Sequence, residues 1–292
     1  MSKKYFLSIC AIVRNETPYI AEWIEFHRLQ DVEHFYIYHN VSFKTAGDHD
    51  IATTDQLFPY VWKQLVTYLN WNQLPGQMPA YQDCLENYGK ESEWIAFLDV
   101  DEFLWSSQYV GYDWKTGTTY QCASDILHRY FYDKDTAVVA PRWLLFGSNG
   151  HKEKTDGLVI ERFTKRSKDV NKHCKSIVRP ELCLHVGKNP HTFKVREGGL
   201  IRDEKGNSLP EEYAVLDGGS ADILRINHYY CKSYAEYCER RKNPTPDTGK
   251  FVENQDEAFK AHDCNEIEDT RVRDLYAAKI KEKLNESTKT LE

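Results

Sequence analysis

The chain alternates short apolar runs with polar breaks, and the spacing inside each run predicts its element. Ser8 to Val13 (SICAIV) is a continuous β-rich run, the pattern of a strand covered on both faces. Thr17 is placed to cap the following helix, with Pro18 at its first position, where a missing N–H costs nothing. Ile20, Trp23, Ile24 and His27 then recur at helical spacing. His34 to His39 (HFYIYH) reads as a second strand, so the opening is strand, helix, strand, which implies a parallel right-handed unit. A helix around Ala80 to Tyr88 precedes a strand from Trp94 to Leu98, and that strand runs straight into Asp99, Asp101 and Glu102.

The second half is more broken. Ala137 to Gly147 (AVVAPRWLLFG) and Gly157 to Phe163 (GLVIERF) read as strands, with a turn-rich loop at Ser148 to His151 between them. Residues 196–222 are rich in glycine and charge and predict a mobile excursion. Asp222 to Tyr230 resumes a strand. From Thr270 to Leu284, Val272, Leu275, Tyr276, Ile280 and Leu284 share one helical face, with basic residues elsewhere. That face either packs on the domain, the favoured expectation, or rests on an anionic membrane surface. No repeat or composition break divides the chain. The expectation is a single α/β domain over residues 1–268, with a mostly parallel central sheet, then a C-terminal helix and tail over 269–292.

Composition narrows the classes. Of 292 residues, 41% are hydrophobic and 13% aromatic, enough for a real core. Thirty-eight basic against 45 acidic side chains give a net charge of -7, which argues against sequence-independent binding to nucleic acid. The 8 cysteines form no CxxC pair, so reduced thiols are expected and not a zinc site. The first apolar run, Tyr5 to Val13, is too short to span a membrane. A cytoplasmic protein is expected, with contact at the inner membrane face as an option.

In open parallel sheets, ligands collect at the carboxyl ends of strands. Arg14-Asn15-Glu16 and Asp99-Val100-Asp101 both follow strands in that position. In an extended segment, residues two apart point the same way, so Asp99 and Asp101 would converge on one point. Two carboxylates aimed together repel unless a proton or a cation lies between them. Mg²⁺ or Mn²⁺ would resolve this and keep open positions for diphosphate oxygens. The competing reading is an acidic turn capping a helix from Glu102 onward.

The opening FLSICAIVRNETPYIAEWIEFHRLQDVEHFYIYHN resembles that of glycosyltransferase family 92, and WIAFLDVDEFLW resembles its DxD segment. The likeness continues through WLLFGSNGH, GLVIERF, KSIVRP, PHTF and INHYYCKSYAEY, covering about residues 5–242 in order. It implies a GT-A fold and metal-assisted transfer of a sugar from a nucleotide-sugar, inverting the anomeric centre. The better-known members are galactosyltransferases. Carried over by position, Arg14, Asn15 and Glu16 begin the nucleotide site. Asn40 falls where the base or ribose is contacted, with His39 standing where an Asp is common. Gln82 and Asp83 would face the donor from their helix. Asp99 would lie near ribose and metal, Asp101 would ligate the metal, and His228 would supply a third ligand. Lys175 and Lys232 would balance diphosphate charge. Glu161, with Asp156 as the alternative, is the expected general base. His151 and His191 are candidates for acceptor contact, and Trp143 and Phe146 for stacking on a sugar.

The expected reaction is therefore transfer of a hexose, galactose first, from a UDP-sugar to a glycan hydroxyl with Mn²⁺ or Mg²⁺ present. Surface polysaccharide or glycan synthesis is the expected setting, lipid-linked acceptors included. A metal-dependent phosphatase or other hydrolase would also use paired aspartates. A sugar-binding module would keep the aromatics but have no need of the metal. A glycoside hydrolase needs carboxylates several ångströms apart, and nucleotidyl transfer lacks a glycine-rich phosphate loop here.

Overall fold

The computed structural model describes residues 3–40, 51–113 and 117–289. Along the chain, β1 (Tyr5–Val13), α1 (Ile20–Arg28), β2 (His34–Asn40), α2 (Ile51–Trp62), β3 (Val66–Trp71), α3 (Gln77–Asn87) and β4 (Ser92–Phe97) alternate in the first hundred residues. Next come β5 (Glu102–Ser106), a hairpin of β6 (Tyr109–Asp113) and β7 (Gly117–Tyr120), α4 (Ala123–Tyr130), β8 (Thr136–Val139) and β9 (Arg142–Leu145). Then follow α5 (Val159–Arg162), β10 (Lys165–Arg166), β11 (Ile177–Val178), β12 (Cys183–Val186), β13 (Phe193–Val195), β14 (Leu200–Arg202) and β15 (Leu224–His228). The chain ends with α6 (Tyr234–Arg241), α7 (Gln255–His262), β16 (Ile267–Glu268) and α8 (Arg271–Lys289).

Seven strands form the main sheet in the order β14-β8-β11-β4-β1-β2-β3. β1 pairs parallel with both β2 and β4, and β2 pairs parallel with β3. β11 runs antiparallel to both its neighbours. This is the mostly parallel α/β sheet expected, compatible with a GT-A-like fold. Its strands are covered on both faces, which is why β1 and β2 read as unbroken apolar runs. The strand period of two divides the core. Leu7, Ile9, Ala11 and Val13 join Trp23, Ile24 and Tyr276 on the face of α1 and α8, while Cys10 and Ile12 join Tyr81 and Cys84 of α3 on the other.

A second sheet, β5-β15-β9, stands beside the carboxyl end of β4. β15 runs antiparallel to β5 and parallel to β9, with His228 opposite Glu102 on one side and Leu145 on the other. That register brings a late histidine to the acidic turn.

Four local expectations are corrected. Thr17 does not cap α1; its hydroxyl shares a 2.7 Å hydrogen bond with that of Thr53, and the helix starts at Ile20 after a turn. GLVIERF contains helix α5, not a strand. Its first N–H groups, on Val159 and Ile160, donate to the buried Glu22 carboxylate at 2.7 and 3.1 Å, and that anchor overrides the β-branched local preference. Residues 196–222 are anchored at points, through β14 at the sheet edge and buried Tyr213, which accepts the Phe193 N–H at 2.9 Å, with exposed stretches between. Glu102 opens strand β5, so no helix begins there for the acidic turn to cap.

The apolar face of α8 lies against α1 and α5, with Val272, Tyr276 and Ile280 buried and the Tyr276 ring edge-on to Phe26 at 5.5 Å. The packing alternative for this helix is the one the structure shows; residues 290–292 of the expected tail lie outside the described ones. Among the described residues, no helix is long and apolar enough to cross a membrane.

Candidate active site

The acidic segment is a tight turn. The Leu98 N–H still donates to Cys10 O of β1, but the Glu102 N–H folds back to Asp99 O at 3.0 Å. Asp99 and Asp101 therefore do not converge as strand neighbours; the turn aims them at different partners. Asp99 accepts from Lys175 Nζ at 2.9 Å and from Gln77 Nε2 at 2.8 Å. Asp101 pairs with Arg240 and stands 3.4 Å from His228 Nε2. Its own carbonyl accepts the Tyr229 N–H at 2.8 Å. The base of the turn is bolted to α1. Trp23 Nε1 donates to Glu102 O at 2.8 Å, and His27 Nε2 accepts the Leu104 N–H at 3.0 Å. Burial pulls the His27 pKa down to about 3, so the ring is the neutral acceptor this bond needs.

Crowded carboxylates are held by cations of the protein itself. Lys175, 0% exposed, lies 2.9 Å from Asp99 and 3.2 Å from Glu102. Burial lowers the pKa of its ammonium, but the two carboxylates outweigh that and hold it well above the ordinary value. Burial drives the fully enclosed Glu102 carboxyl well up, with Lys175 opposing. Asp101 goes the other way: burial raises it, yet Arg240 and His228 overcome that and keep it well below the usual carboxylate range. Burial lowers the His228 pKa below its ordinary 6.5, with Asp101 opposing, so the imidazole is neutral at pH 7.

A cleft of about 560 Å³ opens above this turn, at the carboxyl ends of β1, β2 and β4. Its lining comes from two sides of the fold, which divide it into halves. Arg14, Asn15 and Glu16 follow β1, Asn40 ends β2 and Gln77 opens α3, while Trp143 belongs to β9 of the second sheet, with His191 5.3 Å from its ring and Pro190 beside it. Helix α6 forms a basic wall with Arg240 and the preceding Lys232. The wall is positioned by a reciprocal cap. Ser233 Oγ accepts the Glu236 N–H at 3.2 Å, and Glu236 Oε2 accepts the Ser233 N–H at 3.1 Å. Glu236 also takes a two-pronged contact from Arg162 at 2.8 and 2.9 Å and the Tyr19 hydroxyl at 2.9 Å. Burial raises its pKa, but Arg162, Ser233 and Tyr19 bring it down to about 2. Arg240 follows four residues later on the same helix face.

Arg14, Asn15, Glu16, Asn40, Asp99 and His228 are thus brought to one cleft, with Asp101 directly beneath it. Asn40 is committed to local structure, since its Nδ2 donates to Trp71 O at 3.1 Å and Gln73 O at 2.7 Å. Lys175 sits behind the turn, locked to Asp99 and Glu102, and does not line the cleft. Gln82 and Asp83 are off it as well. Gln82 accepts the Val186 N–H at 2.9 Å, and Asp83 accepts the Tyr38 hydroxyl at 2.6 Å. Gln77, one turn earlier on the same helix, takes the inward place. Glu161 also lies outside: it caps its own helix at Leu158 N (3.1 Å) and pairs with Lys281 at 2.6 Å. Asp156 is exposed on the preceding loop and His151 packs near Phe163, both away from the cleft. Phe146 is core, 4.7 Å from the Tyr229 ring. Trp143 reaches the cleft, but the His173 ring already stacks on it at 5.0 Å, so it offers no open platform. Sequence reasoning missed Gln77, Glu236 and Arg240; the Ser233-x-x-Glu236 capping box was the signal that a helix starts there and points Arg240 inward.

The expected trio Asp99, Asp101 and His228 is not assembled as a cation site. Among the described residues, no group of three or more His, Cys, Asp or Glu side chains is arranged to hold a metal. Asp99 is engaged by Lys175 and Gln77. A smaller seat does fit. His228 Nε2 faces Asp101 Oδ2 at 3.4 Å, and the carboxylate is ionised with its Oδ1 buried without a hydrogen-bond partner; His228 Nδ1, on the far side of the ring, takes no part. One carboxylate and an imidazole, completed by substrate oxygens, suit Mn²⁺ or Mg²⁺.

The profile of Glycosyltransferase family 92 matches residues 3–275, and the chain belongs to that family. It is 27% identical over 77% of its length to a glycosyltransferase family 92 protein of Ricinus communis, covering 35% of that protein. A family 92 protein of Oryza sativa subsp. japonica is 26% identical over 78% of this chain and 33% of its own. A beta-1,4-galactosyltransferase of Caenorhabditis elegans is 25% identical over 80% of this chain and 50% of its own. The chain thus spans from one third to one half of the length of these relatives.

Proposed function

We propose that this protein is a glycosyltransferase that moves a hexose, galactose first, from a UDP-sugar to a glycan hydroxyl with inversion. The observation that carries the reading is the cleft at the carboxyl ends of β1, β2 and β4, where an ionised, half-unsatisfied Asp101 meets the Arg240 and Lys232 wall. Family membership and the galactosyltransferase among the relatives support it.

In this reading the nucleotide lies in the half lined by Arg14, Asn15 and Asn40, and Gln77 and Asp99 hold the sugar or ribose hydroxyls. Lys232 and Arg240 face the diphosphate, where positive charge stabilises the leaving group. Asp101 and His228 are the residues that would hold Mn²⁺ or Mg²⁺, which when bound adds Lewis-acid neutralisation of the same oxygens. Burial lowers the pKa of Lys232, with Asp101 and Glu16 opposing it, so an incoming anion finds a poorly solvated cation.

The test is a screen of nucleotide-sugars for consumption by the purified chain. UDP-galactose turnover above that of other donors, abolished in Asp101→Asn, supports the proposal. Consumption of no nucleotide-sugar, or equal turnover by the variant, contradicts it. Release of phosphate from simple phosphomonoesters would favour a hydrolase instead.

A further inference from the structure

Glu161 and Asp156, the carboxylates expected to act as base, lie off the cleft, so the attacking hydroxyl needs another proton acceptor. Most carboxylates near the cleft are committed to other partners or stand in the other half. Asp99 is held by Lys175 and Gln77, Glu236 by Arg162, Ser233 and Tyr19, and Asp101 is buried against Arg240. Glu239 is paired with Lys242. Glu16 belongs to the β1 turn, and Asp247 follows Pro246, whose carbonyl accepts the Gly76 and Gln77 N–H groups at 2.9 and 3.0 Å. Both therefore stand in the half assigned to the nucleotide.

Among the described residues lining the opposite half, His191 carries a ring nitrogen without a hydrogen-bond partner. His191 Nδ1 lies 2.8 Å from Cys174 O. A carbonyl oxygen only accepts, so Nδ1 must carry the hydrogen, and the lone pair is left on Nε2. Among the described residues Nε2 has no hydrogen-bond partner, and the half-buried ring lines the cleft. The Trp143 ring, edge-on at 5.3 Å, and the His173 ring at 6.0 Å brace it. His228 is excluded because its Nε2 faces Asp101 and its Nδ1 is buried.

We propose that His191 is the general base of the transfer, taking the proton of the acceptor hydroxyl on Nε2. This rests on the glycosyltransferase reading above. As the acceptor oxygen bonds to the anomeric carbon, the bond from that carbon to the diphosphate oxygen breaks. The bonding pair leaves with the nucleoside diphosphate, the hydroxyl proton passes to Nε2, and the imidazolium returns it to solvent. Burial first, then Lys175, pulls the His191 pKa to about 4, so Nε2 rests unprotonated at neutral pH, as a weaker base than free imidazole that gives the proton up readily. The groups facing it are Lys175, Asp99 and His173.

The test uses His191→Asn, whose amide can still donate to Cys174 O, beside His191→Ala. UDP binding is followed by calorimetry, and turnover of UDP-galactose with methyl hexosides as acceptors, or with water where none is accepted. The proposal expects the Asn variant to bind UDP as the wild type does and to lose about 10²–10⁴ in kcat. It expects added imidazole to restore part of the rate in His191→Ala. An Asn variant within about threefold of wild-type kcat overturns it, as does an Ala variant whose rate imidazole leaves unchanged. A wild-type chain that neither binds UDP nor consumes a nucleotide-sugar would instead sink the functional reading beneath it.

Discussion

Lys175 bridges two carboxylates of the acidic turn. It is the sole cation within 4 Å of Glu102 among the described residues, and it also neutralises Asp99. Removing the buried ammonium leaves Asp99 without its cation, while Glu102, its pKa driven up by burial, takes a proton; loss of a hydrogen bond to a charged group costs about 1.5–3 kcal/mol. Lys175→Met is therefore expected to lower the unfolding free energy, read from denaturant titration, by an amount in that range, and adding Asp99→Asn should recover part of the loss. A single variant as stable as the wild type would show that the lysine is not what holds the turn. The residue scale is also where the sequence was least informative. Asp99 and Asp101 were legible as a pair, but the fold-back of Glu102 N–H to Asp99 O was not, because a turn and a strand end share the same apolar approach. Their different partners come from β11 and α6, far away in the chain. Lys175 read as a ligand for phosphate because its sequence neighbours say nothing of the two carboxylates it meets.

Strands β1, β2 and β4 and helices α1 and α8 were legible, since their apolar positions follow a clean period. Helix α5 was not. Leu158, Val159 and Ile160 form a short apolar run with two β-branched residues, and Glu22, brought over by α1, receives the first N–H groups of the helix they open. That anchor predicts a pH dependence. Burial, opposed by the two N–H groups, lifts the Glu22 pKa to about 7 from an ordinary 4.5. Between those values the folded chain holds a proton that the unfolded chain has lost, so this contribution is complete below 4.5 and fades as pH rises through 7. It amounts to at most about 3 kcal/mol at 1.36 kcal/mol per unit. Thermal melts from pH 4.5 to 8 should show this decline in the wild type and a flatter profile in Glu22→Gln; equal slopes would refute the assignment. Glu236 works with the opposite sign. Its pKa of about 2 means that its contribution is present above 4.5 and is lost as pH falls toward 2. In Glu236→Gln the acid-side loss should shrink.

At the scale of the molecule, two sheets meet at one acidic turn, and the register of β15 against β5 delivers His228 there while α6 delivers Arg240. The family likeness was legible across most of the chain, whereas the partition of the cleft into a nucleotide half and an acceptor half depends on sheet order. Helix α8 closes the α1 side of the body. Ile280 is 0% exposed, so Ile280→Ala is expected to cost about 2–5 kcal/mol, read from denaturant unfolding. Because that apolar face is already buried, the intact protein should not sediment with anionic liposomes; strong co-sedimentation would mean that the helix leaves the domain.

The central claim is that Asp101 and the α6 wall receive a nucleoside diphosphate. Calorimetric titration of UDP in the presence of Mn²⁺ addresses it most directly. The account predicts saturable one-to-one binding by the wild-type chain that is lost in Asp101→Asn. No binding by the folded wild type, or undiminished binding by the variant, would contradict it.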